Sequence, residues 1–211
     1  MGDHDFGTVA SETVYVGKIL ALRTDEVHMP GGNTARREVV EHFGAVAIVA
    51  LDDDDNLVLV YQYRHPVGRR LWELPAGLLD MDGEPAVLTA ARELEEEAGL
   101  QAADWSVLID VVSAAGFCDE SVRVYLATGL SEVGRPHAHD EEADLTLHWF
   151  PLEQAVQMVF AGEIVNSLAV AGILAAQAAR GRGYALRAPD APWPDKSTRF
   201  AQRRRALGGG K

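Results

Sequence analysis

Cysteine is almost missing from this chain of 211 residues. Cys118 stands alone, so an intrachain disulfide framework and a cysteine-built zinc site are both excluded, and a reducing cytoplasm is the expected setting. Long apolar runs are missing too. Nothing approaches the ~18 residues that a membrane-spanning helix needs. The acidic opening MGDHDFGTVASE lacks the apolar stretch of a secretory signal, so none is expected. Positive charge is scarce: 19 Lys and Arg stand against 32 Asp and Glu, a net charge of −13. A general nucleic-acid binder carries a basic stripe, so that class is set aside. An anionic ligand would have to meet a locally positive site built from cations and a few placed arginines. What the chain does have is apolar residues, 47% of the total, enough to bury the core of one domain with an additional arm.

The most informative stretch runs from Gly77 to Leu100, GLLDMDGEPAVLTAARELEEEAGL. Its second half reads as a helix. Pro85 suits a first helical position, Ala86, Ala90, Ala91, Leu94 and Ala98 form an apolar side, and Gly99 is placed to turn left-handed after the last turn. On that helix Glu93, Glu96 and Glu97 are spaced i, i+3 and i+4, so they share a face with Glu95 close by. Like charges at this spacing cost roughly 0.2–0.5 kcal/mol per pair. A hard divalent cation relieves such a cluster, taking oxygens from carboxylates, water and substrate phosphates. Taken alone, the run would read as a solvated acidic face.

The surrounding spacing argues otherwise. Gly77, Glu84 and then Arg92-Glu93-Leu94-x-Glu96-Glu97-x-Gly99-Leu100 resemble the Nudix box, in which a glycine and a glutamate precede R-E-U-x-E-E-x-G-U with U apolar. Every fixed position from Glu84 onward matches; six residues separate Gly77 from Glu84, one more than the family pattern has. The resemblance implies a Nudix hydrolase of α+β class, an α/β/α sandwich with a mixed central sheet, that cleaves nucleoside diphosphates linked to another moiety.

Three further features resemble the ADP-ribose pyrophosphatase branch: a long N-terminal arm, the LPAG lead-in to the box, and SAAGFCDES after it, where Ala115 stands in place of the branch's usual proline. The implied reaction is ADP-ribose plus water giving AMP and ribose 5-phosphate. It also implies Mg²⁺ or Mn²⁺ as cofactor and a homodimer that exchanges the arm. By resemblance the metal ligands are the Ala76 carbonyl, Glu93, Glu96 and Glu97, and Glu93 and Glu97 thereby count among the catalytic residues. Arg92 is expected to pair with a box glutamate such as Glu84. The branch draws its base from a distant loop glutamate; in the matching stretch HDEEAD that is Glu142, with Glu141 second. Arg64 resembles the Q-x-x-R or Q-x-R arginine of the branch and would grip phosphate, Arg37 would reach the substrate from the arm, and Glu120 would accept from ribose hydroxyls. Trp72 is a candidate to stack on adenine. The histidines His137, His139 and His148 form no recognisable metal site, and Cys118 has no specified partner.

The rest of the chain predicts a strand over 12–29, a turn at 30–33 and a strand over 34–43, which together form an N-terminal β arm of residues 1–42. A catalytic domain of residues 43–182 follows. In it, apolar runs at 44–52, 57–66, 105–114, 122–130 and 145–152 read as strands, and 152–164 and 166–181 read as helices, with Gly181 closing the second. Residues 183–211, with three prolines and then KSTRFAQRRRALGGGK, read as an extended linker and a basic, poorly ordered tail. Two other functions remain open: a broader nucleoside-diphosphate-sugar or dinucleoside-polyphosphate pyrophosphatase, and a non-catalytic nucleotide-sensing Nudix protein. The box carboxylates favour catalysis.

Overall fold

The computed structural model describes residues 4–135 and 145–208. In chain order the elements are β1 (Thr8–Val16), β2 (Leu20–His28), β3 (Thr34–His42), β4 (Ala45–Ala50), β5 (Asn56–Arg64), β6 (Arg69–Glu73), β7 (Ala76–Leu78), α1 (Ala86–Ala98), β8 (Leu100–Val112), β9 (Ser121–Glu132), β10 (Thr146–Pro151), α2 (Leu152–Phe160), α3 (Ser167–Arg182) and α4 (Arg199–Ala206). They divide into two compact units, one of residues 1–44, 112–121 and 195–211, the other of residues 45–111 and 122–194.

In the first unit β1, β2 and β3 form an antiparallel sheet in that order. The single strand expected over 12–29 is two strands. The chain reverses after Val16, where the Gly17 N–H donates to the Leu20 carbonyl at 2.8 Å. Strand-forming residues on both sides of that short turn hide it from periodicity. The tail also departs from expectation. Instead of a free basic end, it folds as α4, with Phe200 wholly buried edge-to-face against Phe43 at 4.6 Å. Arg203 Nε donates to the buried Glu41 at 2.6 Å. Counting arginines finds charge, but it does not reveal that one phenylalanine and one buried carboxylate give the segment something to hold.

In the second unit a four-stranded sheet runs β7-β4-β9-β8, with β4 parallel to β9 and antiparallel to β7, and a three-stranded sheet runs β10-β5-β6. β4 is buried along its length and its residues alternate between faces. Ala45, Ala47 and Val49 join a core cluster with Ala155 and Met158 of α2 and Ala169, Ile173 and Ala176 of α3. Val46, Ile48 and Ala50 join a second with Ala90, Leu94 and Ala98 of α1. Helices on both faces of a mixed sheet give an α/β/α sandwich, and α1 is thereby fixed against β4 and β7. Residues 187–194 belong to this unit: Arg123, itself buried, donates to the Ala191 carbonyl at 2.7 Å and to both carboxylate oxygens of Asp110. Among the described residues no helix is long and apolar enough to cross a membrane.

Candidate active site

α1 begins one residue later than the sequence suggests, with Pro85 extended at the N-cap, and it ends on Gly99 at φ 67°, the left-handed turn that glycine makes without strain. Helical spacing brings Glu93 and Glu97 under the β7 loop. Glu97 is buried and accepts from the Ala76 N–H at 2.9 Å. Glu93 lies directly against Gly77: a Cβ there would fall 2.0 Å from its carboxyl carbon. The box glycine is therefore the space that the box glutamate occupies.

Arg92 holds the cluster together. Its Nη1 donates to Glu93 Oε1 at 2.7 Å and to Glu96 Oε2 at 2.9 Å, whereas Nη2 lies 3.6 Å from Glu84. The expected pairing with Glu84 is present and is the longest of the three, and Glu84 also accepts from the Thr89 hydroxyl at 2.8 Å. Glu93 has its carboxyl pushed up to about 7. Burial is the first cause, and the negative charges of Glu96 and Asp80 add to it against the pull of Arg92.

The donor chemistry suits a hard divalent cation. Among the described residues no three acidic, histidine or cysteine side chains form a finished cage, and Arg92 spans Glu93 and Glu96. Mg²⁺ rarely takes an all-protein cage; it uses one or two carboxylates and keeps waters or substrate phosphates. Glu93, Glu96, Glu97 and the Ala76 backbone fit that mode.

Arg64 ends β5 in the same unit, and its guanidinium is paired with Glu73 of β6 through Nη2 at 2.7 Å. Arg37 and Glu120 belong to the first unit. Arg37 is exposed on β3, with Nη1 donating to the Arg36 carbonyl at 3.0 Å. Glu120 accepts from the Ser113 hydroxyl and lies 3.0 Å from His42 Nδ1. The His42 contact, ahead of burial, holds the Glu120 carboxyl below the usual range. Glu141, Glu142, His137 and His139 lie outside the described residues. Trp72, the candidate adenine platform, is partly buried and packed among Tyr61, His148 and Phe150 at 4.5, 5.0 and 5.2 Å between ring centres. Burial pushes the Cys118 thiol up, away from nucleophilic use. Glu73, His42 and Ser113 were missed by sequence reasoning. For Glu73 a signal existed, since a β5–β6 hairpin places it on the face that carries Gln62 and Arg64.

The NUDIX domain family matches residues 41–167. An ADP-ribose pyrophosphatase of Mycobacterium tuberculosis is 63% identical over 205 residues, 97% of this chain and 99% of its own. A methanol dehydrogenase activator of Bacillus methanolicus is 36% identical over 166 residues, 79% of this chain and 89% of its own. Among solved structures, an ADP compounds hydrolase superposes with a TM-score of 0.74 at 20% identity, over 87% of this chain and 98% of that one; that likeness speaks for the fold. A family match over residues 41–167, which include the helix that carries the carboxylates, and a 63% identical relative over nearly the whole chain have one reading: the chain belongs to the NUDIX domain family.

Proposed function

We propose that this chain is a divalent-cation-dependent pyrophosphatase that hydrolyses ADP-ribose to AMP and ribose 5-phosphate. One observation carries the reading: Glu97 accepts from the Ala76 N–H and Glu93 lies directly against Gly77, so two box carboxylates meet the same short stretch of backbone, one of them with its carboxyl pushed up to about 7. The name of the 63% identical relative supports ADP-ribose as substrate.

Ala76, Glu93, Glu96 and Glu97 would hold the cation, Mg²⁺ or Mn²⁺. Such an ion supplies charge neutralisation on the phosphoryl oxygens and acidifies a water molecule. Arg92 keeps Glu93 and Glu96 in register. Arg64 takes the diphosphate as a planar fork, Arg37 adds a second guanidinium, and Glu120 accepts from a ribose hydroxyl. Glu142, or Glu141 in its place, takes the proton from the attacking water as its oxygen bonds to phosphorus and the bridging P–O bond breaks. The proposed assembly is a homodimer exchanging the N-terminal arm, and the proposed setting is the cytoplasm. A broader nucleotide-sugar range is the second reading, favoured by Ala115 in the loop before Glu120.

Product analysis of ADP-ribose hydrolysis, with each cation, tests the proposal on the wild type, Glu93→Gln and Glu142→Gln. AMP and ribose 5-phosphate are the expected products. Loss of at least ~10³-fold in rate is expected for Glu93→Gln, more than about 4 kcal/mol of transition-state stabilisation. A wild type inert towards ADP-ribose would sink the substrate, and a fully active Glu93→Gln would sink the metal role. A fully active Glu142→Gln moves the base to Glu141.

A further inference from the structure

We propose that Glu73 is a positioning residue that aims Arg64 at the substrate's diphosphate. The inference rests on the reading of Arg64 given above. β5 and β6 pair antiparallel, with Val60 opposite Glu73, Gln62 opposite Leu71 and Arg64 opposite Arg69. Residues two apart share a face of a strand, so Gln62, Arg64 and Glu73 stand on the same side of this hairpin. Arg64 leans back along the strand to reach the carboxylate. Its Nε lies 3.0 and 3.2 Å from the two Glu73 oxygens and its Nη2 lies 2.7 Å from Oε2. Gln62 Nε2 donates to the same Oε2 at 3.2 Å. The Glu73 side chain is 4% exposed and that of Arg64 is 41% exposed. A fixed carboxylate thus grips a guanidinium that still reaches the surface.

The grip uses the side edge of the fork, Nε and Nη2. A planar group held along one edge has its orientation set, and a guanidinium so aimed suits the bidentate recognition of phosphate. Arginine otherwise has much rotamer freedom to lose when a ligand binds; holding it beforehand is preorganisation. A buried ion pair is a weak source of stability, since desolvating the carboxylate opposes the attraction. Orientation is what this pair does well. Gln62 then has a role in the Q-x-R pattern: it satisfies the second lone pair of the oxygen that Arg64 grips most closely.

The sign of one measurement separates this role from the alternatives. Were Glu73 only a counter-charge, removing it would free the full charge of Arg64 and tighten anion binding. The experiment measures KM and kcat for ADP-ribose, and the Kd of ADP by calorimetry with the cation present. It uses the wild type, Glu73→Gln, Arg64→Lys and the double variant. Glu73→Gln is expected to raise both KM and the ADP Kd about tenfold with kcat within about twofold. Arg64→Lys, which keeps the charge but lacks the fork, is expected to match it, and the double variant to be no worse than Arg64→Lys. Unchanged or tighter ADP binding by Glu73→Gln overturns the inference, as does a fall in kcat at constant KM or a double variant in which the losses add. If Glu73→Gln does not fold, Arg64→Lys carries the test, and wild-type ADP affinity there overturns it. A wild type that binds ADP with the expected pattern yet leaves ADP-ribose intact defeats the proposed function and leaves this role standing. A wild type that binds no ADP defeats both.

Discussion

Glu93 shows how much chemistry a single position concentrates. It lies against Gly77, is gripped by Arg92, and has Glu96 and Asp80 as negative neighbours. Burial is the largest influence, and its balance with these neighbours moves the carboxyl from 4.5 to about 7. A folded-state acid that is weaker than its unfolded counterpart binds its proton more tightly in the folded state. The stability it contributes is therefore fully present below about 4.5 and lost as pH rises through about 7. In protein stripped of divalent cations, thermal melts are expected to show Glu93→Gln gaining on wild type as pH rises from about 5 to about 8, and added Mg²⁺ raising the wild-type Tm more at the upper pH, because the cation needs the ionised carboxylate. A Glu93→Gln advantage that is flat across this range would mean that the carboxyl titrates normally. These residues were legible in the sequence because a helix converts i, i+3 and i+4 spacing into one face. Arg92 to Glu96 is an i, i+4 pair and was readable on the same rule; the expected partner, Glu84, is separated from the helix by Pro85, and spacing says nothing about how such a flank folds back.

At the scale of elements, periodicity served well where one face meets a core and poorly where contacts are distant. β4 is an apolar run because both its faces are covered, and α3 is an alanine-rich run capped by Asn166, whose side chain accepts from Leu168 and Ala169. The helix runs on to Gly183 rather than Gly181, since a glycine stops a helix only where the chain turns left-handed. α4 was unreadable for a different reason. Its mean composition is polar and basic, and what folds it lies far away: Arg203 meets Glu41 across 162 residues. The apolar side of that anchor is Phe200, wholly buried. Phe200→Ala is expected to cost about 3–4 kcal/mol in urea unfolding, as cavity-forming aromatic truncations do, whereas Lys196→Ala, on an exposed neighbour, is expected to stay within about 0.5 kcal/mol. Equal, negligible effects would mean that the tail is the solvated end its composition suggests.

Over the whole molecule, the division into units is the least legible feature, because the first unit gathers three separate stretches of chain and no local pattern announces such a gathering. Its outermost strand raises the question of assembly. Among the described residues β1 pairs only with β2, and eight of its nine residues are exposed, on both faces. Val9, Val14 and Tyr15 are each more than half exposed. An edge strand offers unpaired backbone groups and is ordinarily protected by proline, lysine, bulges or a covering element. Here two register shifts, at Thr8/Ala10 and Thr13/Tyr15, twist the edge, but the strand holds neither proline nor lysine. A strand with apolar side chains more than half exposed on both faces is suited to a second copy, and the proposed arm-exchanged dimer supplies one. Analytical ultracentrifugation is expected to give twice the monomer mass for the wild type. The double variant Val14→Lys, Tyr15→Lys is expected to sediment as a monomer with its far-UV circular dichroism unchanged, since both side chains are more than half exposed within one chain. Turnover of that monomer then bears on Arg37, which lies in the same sheet. A fall in kcat/KM of about tenfold or more would tie the arm to the substrate, while wild-type kinetics from a monomer would remove both Arg37 and the exchange from the catalytic account.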